Sequence, residues 1–336
     1  MKKFRAKKRK KKKLKKYILF LLIIYFLHYV IVDAINNIRL VSSNEEFLRA
    51  LMIDSNHHIL YERSSKGVVN RIAQFLSNID FNNPISIIEK SFGFNYEPKG
   101  SGADLVYNED YYNMEELEKI SEHIRDPFPV DVKKPRVYIY NSHQLENYNA
   151  SNLEIYNITP NVMMASYLLK DKLIRLGIPA IAEEANFLEF MRINNWKHQD
   201  SYKASRFYII DAFNKYSNSL DLVIDIHRDA VKKNDSTTTI NGKKYAKVLF
   251  VIGLDNKKYK QNLELANKLN NLINQRYPTL SRGVLKKQGA GVDGVYNQDL
   301  SLKMILLEIG GVENTIDEVL NTVEAISIII KEYLGA

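Results

Sequence analysis

LDLVIDIH, residues 220–227, is a short, nearly continuous apolar run that ends in a histidine. Runs of this kind read as strands buried on both faces, the habit of parallel sheets clad in helices. Outward from it the pattern repeats. RVYIYNS (136–142), PAIAEEA (179–185), AKVLFVIG (246–253), RGVLKKQ (282–288) and LKMILLEIGG (302–311) read as further strands. Between them, TPNVMMASYLLKDKLIRLG (159–177), SYKASRFYIIDAFNKY (201–216), KQNLELANKLNNLINQRYP (260–278) and TIDEVLNTVEAISIIIKEYLG (315–335) read as helices. Thr159 is the expected N-cap of the first, Pro160 fits its first turn, and Gly177 follows its last. Strands alternating with helices predict an α/β domain: a mostly parallel, mixed central sheet with helices on both faces.

The remainder of the chain is of a different kind. It has 336 residues, 45% hydrophobic and 26% charged, with no cysteine and a net charge of +9. Residues 1–16 carry twelve Lys or Arg and no acid, and without them the remainder stands at −3. A body of that charge lacks the basic excess of a nucleic-acid binder. The basic tail runs into YILFLLIIYFLHYVIV, which Ala34 and Ile35 prolong beyond Asp33. Roughly 17–25 apolar residues span a bilayer, and Lys and Arg ahead of a first span keep that side cytoplasmic. The expected layout is a basic cytoplasmic tail (1–16) and a transmembrane helix (17–35). A helical membrane-proximal region and linker (36–126) and a catalytic domain (127–336) lie outside the membrane. A cleaved signal peptide is the rival, and it exports the same domain. In the membrane-proximal region EEFLRALMI (45–53), VVNRIAQFLSNI (68–79), ISIIEKSF (85–92) and MEELEKISEHI (114–124) read as short helices.

Three of the apolar segments end in, or carry, groups suited to a metal ion. The first strand runs into His143, with Glu146 three residues on; LDLVIDIH ends at His227; Glu308 interrupts MILLEIGG. In open α/β sheets ligands bind beyond the carboxyl ends of the strands, so these residues point to one site. Two imidazoles and a carboxylate can hold Zn2+, and a second carboxylate can move the protons of its water. His143, Glu146 and His227 are the expected ligands and Glu308 the catalytic base. A buried unpaired carboxylate is otherwise costly. Gly310 and Gly311 would let substrate come close. Glu183 and Glu184 are alternative ligands, and His198 stands where it could reach a cleft. Without cysteine, zinc has no thiolate ligand, and no Gly-x-Ser-x-Gly elbow supports a serine hydrolase.

IYNSHQLENY, VIDIHRDA, GVYNQDLS and LLEIGGVENT, in that order, resemble the catalytic domain of the stage II sporulation protein P family. That domain is similar to zinc-dependent N-acetylmuramoyl-L-alanine amidases. The resemblance implies an α/β fold, a membrane anchor, and cleavage of the amide joining N-acetylmuramic acid to the stem peptide of peptidoglycan. It implies cleavage of peptide cross-links by the same site. His143 and His227 fall on the family's metal histidines and Glu308 on its catalytic glutamate. Where many relatives read His-Thr-His this chain reads Asn141-Ser142-His143. The broader amidase group draws a carboxylate ligand from the start of the next helix, and ITPNVMM here has no acid, so Glu146 is the expected substitute. Arg228, Asp229 and Asn297, the last within GVYNQDLS, are expected to bind substrate. The family's companions are a stage II sporulation protein D-like lytic transglycosylase and a tethering membrane protein, acting at the septum of endospore formers during engulfment. Two other readings suit the residues: a zinc carboxypeptidase-like peptidase, with Arg228 as the cation for a terminal carboxylate, and a catalytically inactive septal scaffold.

Overall fold

The computed structural model describes residues 16–17, 19–28, 43–61, 121–150, 153, 157–216 and 218–336. The chain divides into two compact units, residues 1–42 with 54–100 and residues 43–53 with 101–336. In the first, residues 19–28 are helical and their apolar side chains are exposed. Among the described residues no helix is long and apolar enough to cross a membrane. The rest of the expected span, and the helices expected over 68–79 and 85–92, lie outside the described residues.

Helix α1 (Asn44–Tyr61) covers EEFLRALMI, and Leu48, Leu51 and Met52 are buried, as their shared face requires. In the second unit, β1 (Val137–Tyr140), α2 (Val162–Arg175), β2 (Ala180–Ala182), α3 (Phe187–Ile193), α4 (Ser201–Tyr216) and β3 (Leu222–Asp229) follow in order. Then come α5 (Lys233–Ser236), β4 (Thr237–Ile240), β5 (Lys243–Ala246), β6 (Val248–Gly253), α6 (Tyr259–Arg276), β7 (Ser281–Lys287), β8 (Met304–Gly311) and α7 (Ile316–Tyr333). Six strands form one sheet in the order β2-β1-β3-β8-β6-β7. β2, β1, β3 and β8 are mutually parallel; β6 runs antiparallel to β8, and β7 is parallel to β6. The reversal follows from the connections. A parallel partner needs a long crossover, usually a helix. Between β3 and β6 the chain has only the one-turn α5 and the β4–β5 hairpin, and between β7 and β8 no helix, so direction changes twice.

Successive strand residues face opposite sides of a sheet. Ile139, Ile224, Ile226, Phe250, Ile305, Leu307 and Ile309 are buried and share one side. α2 packs across β1–β3, α6 across β6–β8, and α7 between those two helices. On the other side Tyr138, Tyr140, Val223 and Met304 pack with Phe187, Leu188 and Met191 of α3 and Ala204, Ile209 and Ala212 of α4. Each fully buried large side chain contributes roughly 1.5–3 kcal/mol. This second side turns polar toward the carboxyl ends of the strands: Asp225 and His227 follow Val223 at intervals of two, and Glu308 follows Met304 and Leu306 likewise.

Two local expectations are corrected. The N-cap of α2 is Asn161, whose side chain accepts from Met163 and Met164 N–H, rather than Thr159; Thr159 N–H and C=O are instead bonded to the Asn44 side chain at 2.8 and 3.0 Å. The helix expected over 114–124 is absent from its described part, residues 121–124. Their polar groups bond sideways: Ser121 Oγ and the Glu122 carbonyl accept from Asn161 Nδ2, and the Ile124 carbonyl accepts from Tyr167 Oη. Just beyond, Lys170 makes a buried ion pair with Asp126 and donates to the Phe128 carbonyl at 3.0 Å, fastening this segment to α2.

Candidate active site

β1 ends in Asn141-Ser142-His143-Gln144, and all four side chains are buried. Each is tied to a different neighbour, which fixes the path of the loop. Asn141 Nδ2 donates to the Ile226 carbonyl at 2.6 Å, and Asn141 Oδ1 accepts from Ser166 Oγ of α2 at 2.8 Å. Ser142 donates through N–H and Oγ to the two carboxylate oxygens of Asp225, at 2.9 and 2.7 Å. Gln144 bridges to the Ala185 carbonyl and the Phe187 N–H at the start of α3. His143 thereby projects over the carboxyl end of β3.

His143 and His227 meet edge to face, ring centroids 5.0 Å apart. Glu146 Oε1 lies between them, 3.3 Å from His143 Nδ1 and 3.2 Å from His227 Nδ1. The other Glu146 oxygen accepts the Arg228 backbone N–H at 2.8 Å. Ligand atoms of the three residues all lie within 4.8 Å of one another. Zinc bonds of about 2.0–2.1 Å in a tetrahedron put neighbouring donors about 3.3–3.4 Å apart, and the separations of Glu146 Oε1 from the two histidine nitrogens, 3.3 and 3.2 Å, match that spacing. Glu146 belongs to the loop, yet its carbonyl accepts the N–H of Val162, the first residue of α2, at 3.0 Å. The loop thus brings an acid to the helix end that has none of its own.

Asp225, two residues before His227 on β3, is the residue the sequence reading passed over. It is buried, takes both Ser142 bonds, and sits 3.0 Å from His227 Nε2. Its spacing was the available signal: an acid at i−2 of a strand histidine shares its face. A carboxylate on the far nitrogen of a ligating histidine fixes ring orientation and tautomer. Burial opposes charging His227, but the Asp225 and Glu146 carboxylates outweigh it and raise its pKa well above the ordinary value. Burial likewise opposes ionising Glu146, yet the His227 charge and hydrogen bonds from both histidines hold its carboxyl well below the usual range. A donor set with two anions around one imidazole calls for positive charge. Asp225→Asn should weaken zinc affinity about 10–100-fold with the fold retained, as competition against a chromogenic chelator would measure; an unchanged affinity would remove Asp225 from the site.

Glu308 on β8 is in register with His227 on β3. Its Oε2 is buried and has no hydrogen-bond partner among the described residues. Burial raises its pKa to about 8, with the His227 charge opposing and the Glu146 and Asp229 charges adding. His198, in a short 3-10 turn before α4, stacks on His143 at 5.0 Å, and Tyr202 of α4 approaches both ligand rings, at 5.2 and 6.3 Å. Burial, then the His143 charge, lowers the His198 pKa to about 4. These rings wall the site on the α4 side.

The other expected residues lie elsewhere or are engaged by the protein. Arg228, next to His227 on a strand, faces the opposite way; its Nε donates to the Asn147 carbonyl at 2.7 Å. Asp229 accepts from Arg282 Nη2 at 2.7 Å. Asn297 Nδ2 donates to the Tyr202 carbonyl and Ser205 Oγ, pinning the 288–300 loop to α4. Tyr296 and Asn297 both adopt left-handed backbone (φ 53 and 57), a strained pairing typical of functional loops. Glu183 is bonded to Tyr138 Oη and to Ala185 N–H, and the Glu184 carbonyl is near His123 Nε2, so neither joins the cluster. The room beside Gly310 and Gly311 is filled by the protein itself: a Cβ there would meet Asn314 Oδ1 at 2.8 Å and the Val231 carbonyl at 2.4 Å.

The family model described as stage II sporulation protein P matches residues 79–331, three quarters of the chain and all of this site. The chain belongs to the stage II sporulation protein P family. The stage II sporulation protein P of Bacillus subtilis (strain 168) is 34% identical over 205 residues, 59% of this chain and 51% of that protein. The match thus spans about half the length of the curated relative. Among solved structures, the CwlD amidase of Clostridioides difficile, in complex with the GerS lipoprotein, is 13% identical. That likeness covers 60% of this chain and 98% of that one, with a TM-score of 0.39. An N-acetylmuramoyl-L-alanine amidase from Clostridium difficile 630 is 14% identical over 61% of this chain and 98% of its own, with a TM-score of 0.36. In this family member three of the four quoted segments meet at the carboxyl ends of β1, β3 and β8, and GVYNQDLS packs on β6 through Gln298 and reaches Tyr202 through Tyr296.

Proposed function

We propose that this chain is a zinc-dependent peptidoglycan hydrolase that cuts the amide between N-acetylmuramic acid and the L-alanine of the stem peptide. One observation carries the reading: two imidazoles and a carboxylate at ligand spacing beside Glu308, whose Oε2 is buried with no hydrogen-bond partner among the described residues. His143, Glu146 and His227 would hold zinc, which supplies a Lewis acid and an acidified water when bound. Glu308 takes the proton of the attacking water and returns it to the departing amide nitrogen, for which a pKa near neutrality is apt. Asp225 holds His227 in the tautomer and orientation the role needs. His198 and Tyr202 exclude water from one side. Peptide cross-links present the same bond type, so endopeptidase action belongs to the proposal.

The other two readings fare less well. A scaffold has no use for an unpartnered carboxylate beside two histidines. A carboxypeptidase needs a cation for the terminal carboxylate, and Arg228 is directed to the protein's own carbonyl groups. The proposal extends to a place of action: an N-terminal anchor at 17–35, the catalytic domain on the outer, septal side, and work during engulfment. It extends likewise to a lytic transglycosylase related to stage II sporulation protein D and a tethering membrane protein as partners. The exposed apolar helix over residues 19–28 supports the anchor. Digesting purified muropeptides with the detergent-solubilised chain and weighing the products tests the reading. Loss of whole stem peptides is expected; loss of a single residue, or none with zinc added, defeats it.

A further inference from the structure

The face of the sheet that carries His227 and Glu308 does not stop at β8. Leu249 of β6 lies opposite Glu308. On β7, Ser281 pairs with Val248 but Val284 pairs with Phe250, so β7 has one residue more than β6 over this span. Gly283 (φ 98) absorbs the extra residue in a bulge. Leu285 and Lys287 then pair with Val251 and Gly253, and alternation sets Arg282, Leu285 and Lys287 on the same face as Leu249 and Glu308. Leu285 is 42% exposed.

Arg282 extends along that face. Its Nη2 donates to Asp229 Oδ2 at 2.7 Å, although β7 and β3 are separated by β6 and β8. Its Nη1 is buried and has no hydrogen-bond partner among the described residues. An ionised donor left without an acceptor is unfavourable until a ligand supplies one, and a guanidinium fork is shaped for a carboxylate. The charge of Lys287 is also felt at Glu308. Asp229, two residues beyond His227, therefore sets the direction of a cation reaching from the far edge of the sheet.

We propose that Arg282, oriented by Asp229 and backed by Lys287, receives a carboxylate of the substrate's peptide, laying that peptide over β6 and β7. This rests on the amidase reading above and assigns the two sides of the scissile bond. The sugar side offers no carboxylate there, because its lactyl carboxyl is consumed in the amide. The peptide side does, so the cations select it. Arg282 is then a specificity residue that takes no part in the proton transfers of Glu308.

The test compares N-acetylmuramoyl-L-alanyl-D-glutamate with its α,γ-diamide, which has no carboxylate, as substrates of the zinc-loaded full chain. The wild type should favour the acid about tenfold in kcat/KM. In Arg282→Gln that ratio should fall toward one, chiefly through KM, because the contact is made alike in ground and transition states. Arg282→Lys should keep an intermediate ratio, and Lys287→Gln should reduce it less than Arg282→Gln. Equal handling of acid and amide by the wild type, or a ratio that survives Arg282→Gln, overturns the assignment. Should the chain cleave neither compound, the amidase reading is at fault. Calorimetric titration of the two compounds into the same chain then decides the carboxylate preference independently, equal affinities overturning it.

Discussion

Glu308→Gln should lower kcat/KM for stem-peptide release by about 10²–10⁴-fold, the usual range for removing a general base, while bound zinc stays at the wild-type level. The substitution is nearly isosteric. It removes the one acid–base group that is buried beside the ligand set, paired in register with His227, and free of a hydrogen-bond partner among the described residues. It leaves His143, Glu146 and His227, whose donors span no more than 4.8 Å. Elemental analysis and a muropeptide digest of the same preparation separate the two effects. Loss of both metal and activity would make Glu308 a ligand instead; retention of both would remove it from the mechanism.

His227→Ala and His143→Ala should each strip the chain of zinc and of hydrolysis, yet differ in stability. His227 lies between two carboxylates, 3.0 Å from Asp225 and 3.2 Å from Glu146, and its side chain is 3% exposed. Its removal leaves those anions facing each other across a buried gap. Breaking a buried pair in this way costs about 3–5 kcal/mol. The lower end is apt here, because Asp225 keeps its two Ser142 bonds and Glu146 its Arg228 N–H. At about 2–4 °C per kcal/mol for a domain of this size, the metal-free variant should melt roughly 6–12 °C below the metal-free wild type. His143 touches only the Glu146 end of the pair, at 3.3 Å, and its loss should cost far less. Thermal unfolding of both variants after chelation makes the comparison, and equal melting temperatures would refute the role given to His227 as the cation between two acids.

The alternation of strands and helices was legible because near-continuous apolar runs have few other uses. The convergence of His143, His227 and Glu308 was legible because parallel strands present their carboxyl ends together. Direction was harder. Nothing in VLFVIG says that it runs against LVIDIH; the missing crossover helix does, and the hairpin that replaces it was passed over. Yet Asn241-Gly242, with φ 51 and 78, is the strongest short hairpin signal there is. The facing of Arg228 has a simpler reason: a strand residue adjacent to His227 points to the opposite side of the sheet, and its Nε donates to the Asn147 carbonyl. The 114–124 pattern failed in its described part, where the Glu122 and Ile124 carbonyls accept tertiary hydrogen bonds from Asn161 and Tyr167 in place of helical ones. Arg282 could not be found from sequence, since its facing depends on a one-residue bulge in β7.

Two of the three candidate metal ligands, His143 and Glu146, come from a single turn of chain, four residues long, and the third, His227, from a neighbouring strand. Immediately after Glu146 the backbone pinches shut: Tyr148 N–H bonds the Pro160 carbonyl at 2.8 Å, and Asn147 bridges to Asn161. The turn that carries His143 and Glu146 is thereby closed off from the chain that follows it. A change in that following chain should leave the spacing of the two side chains as it is.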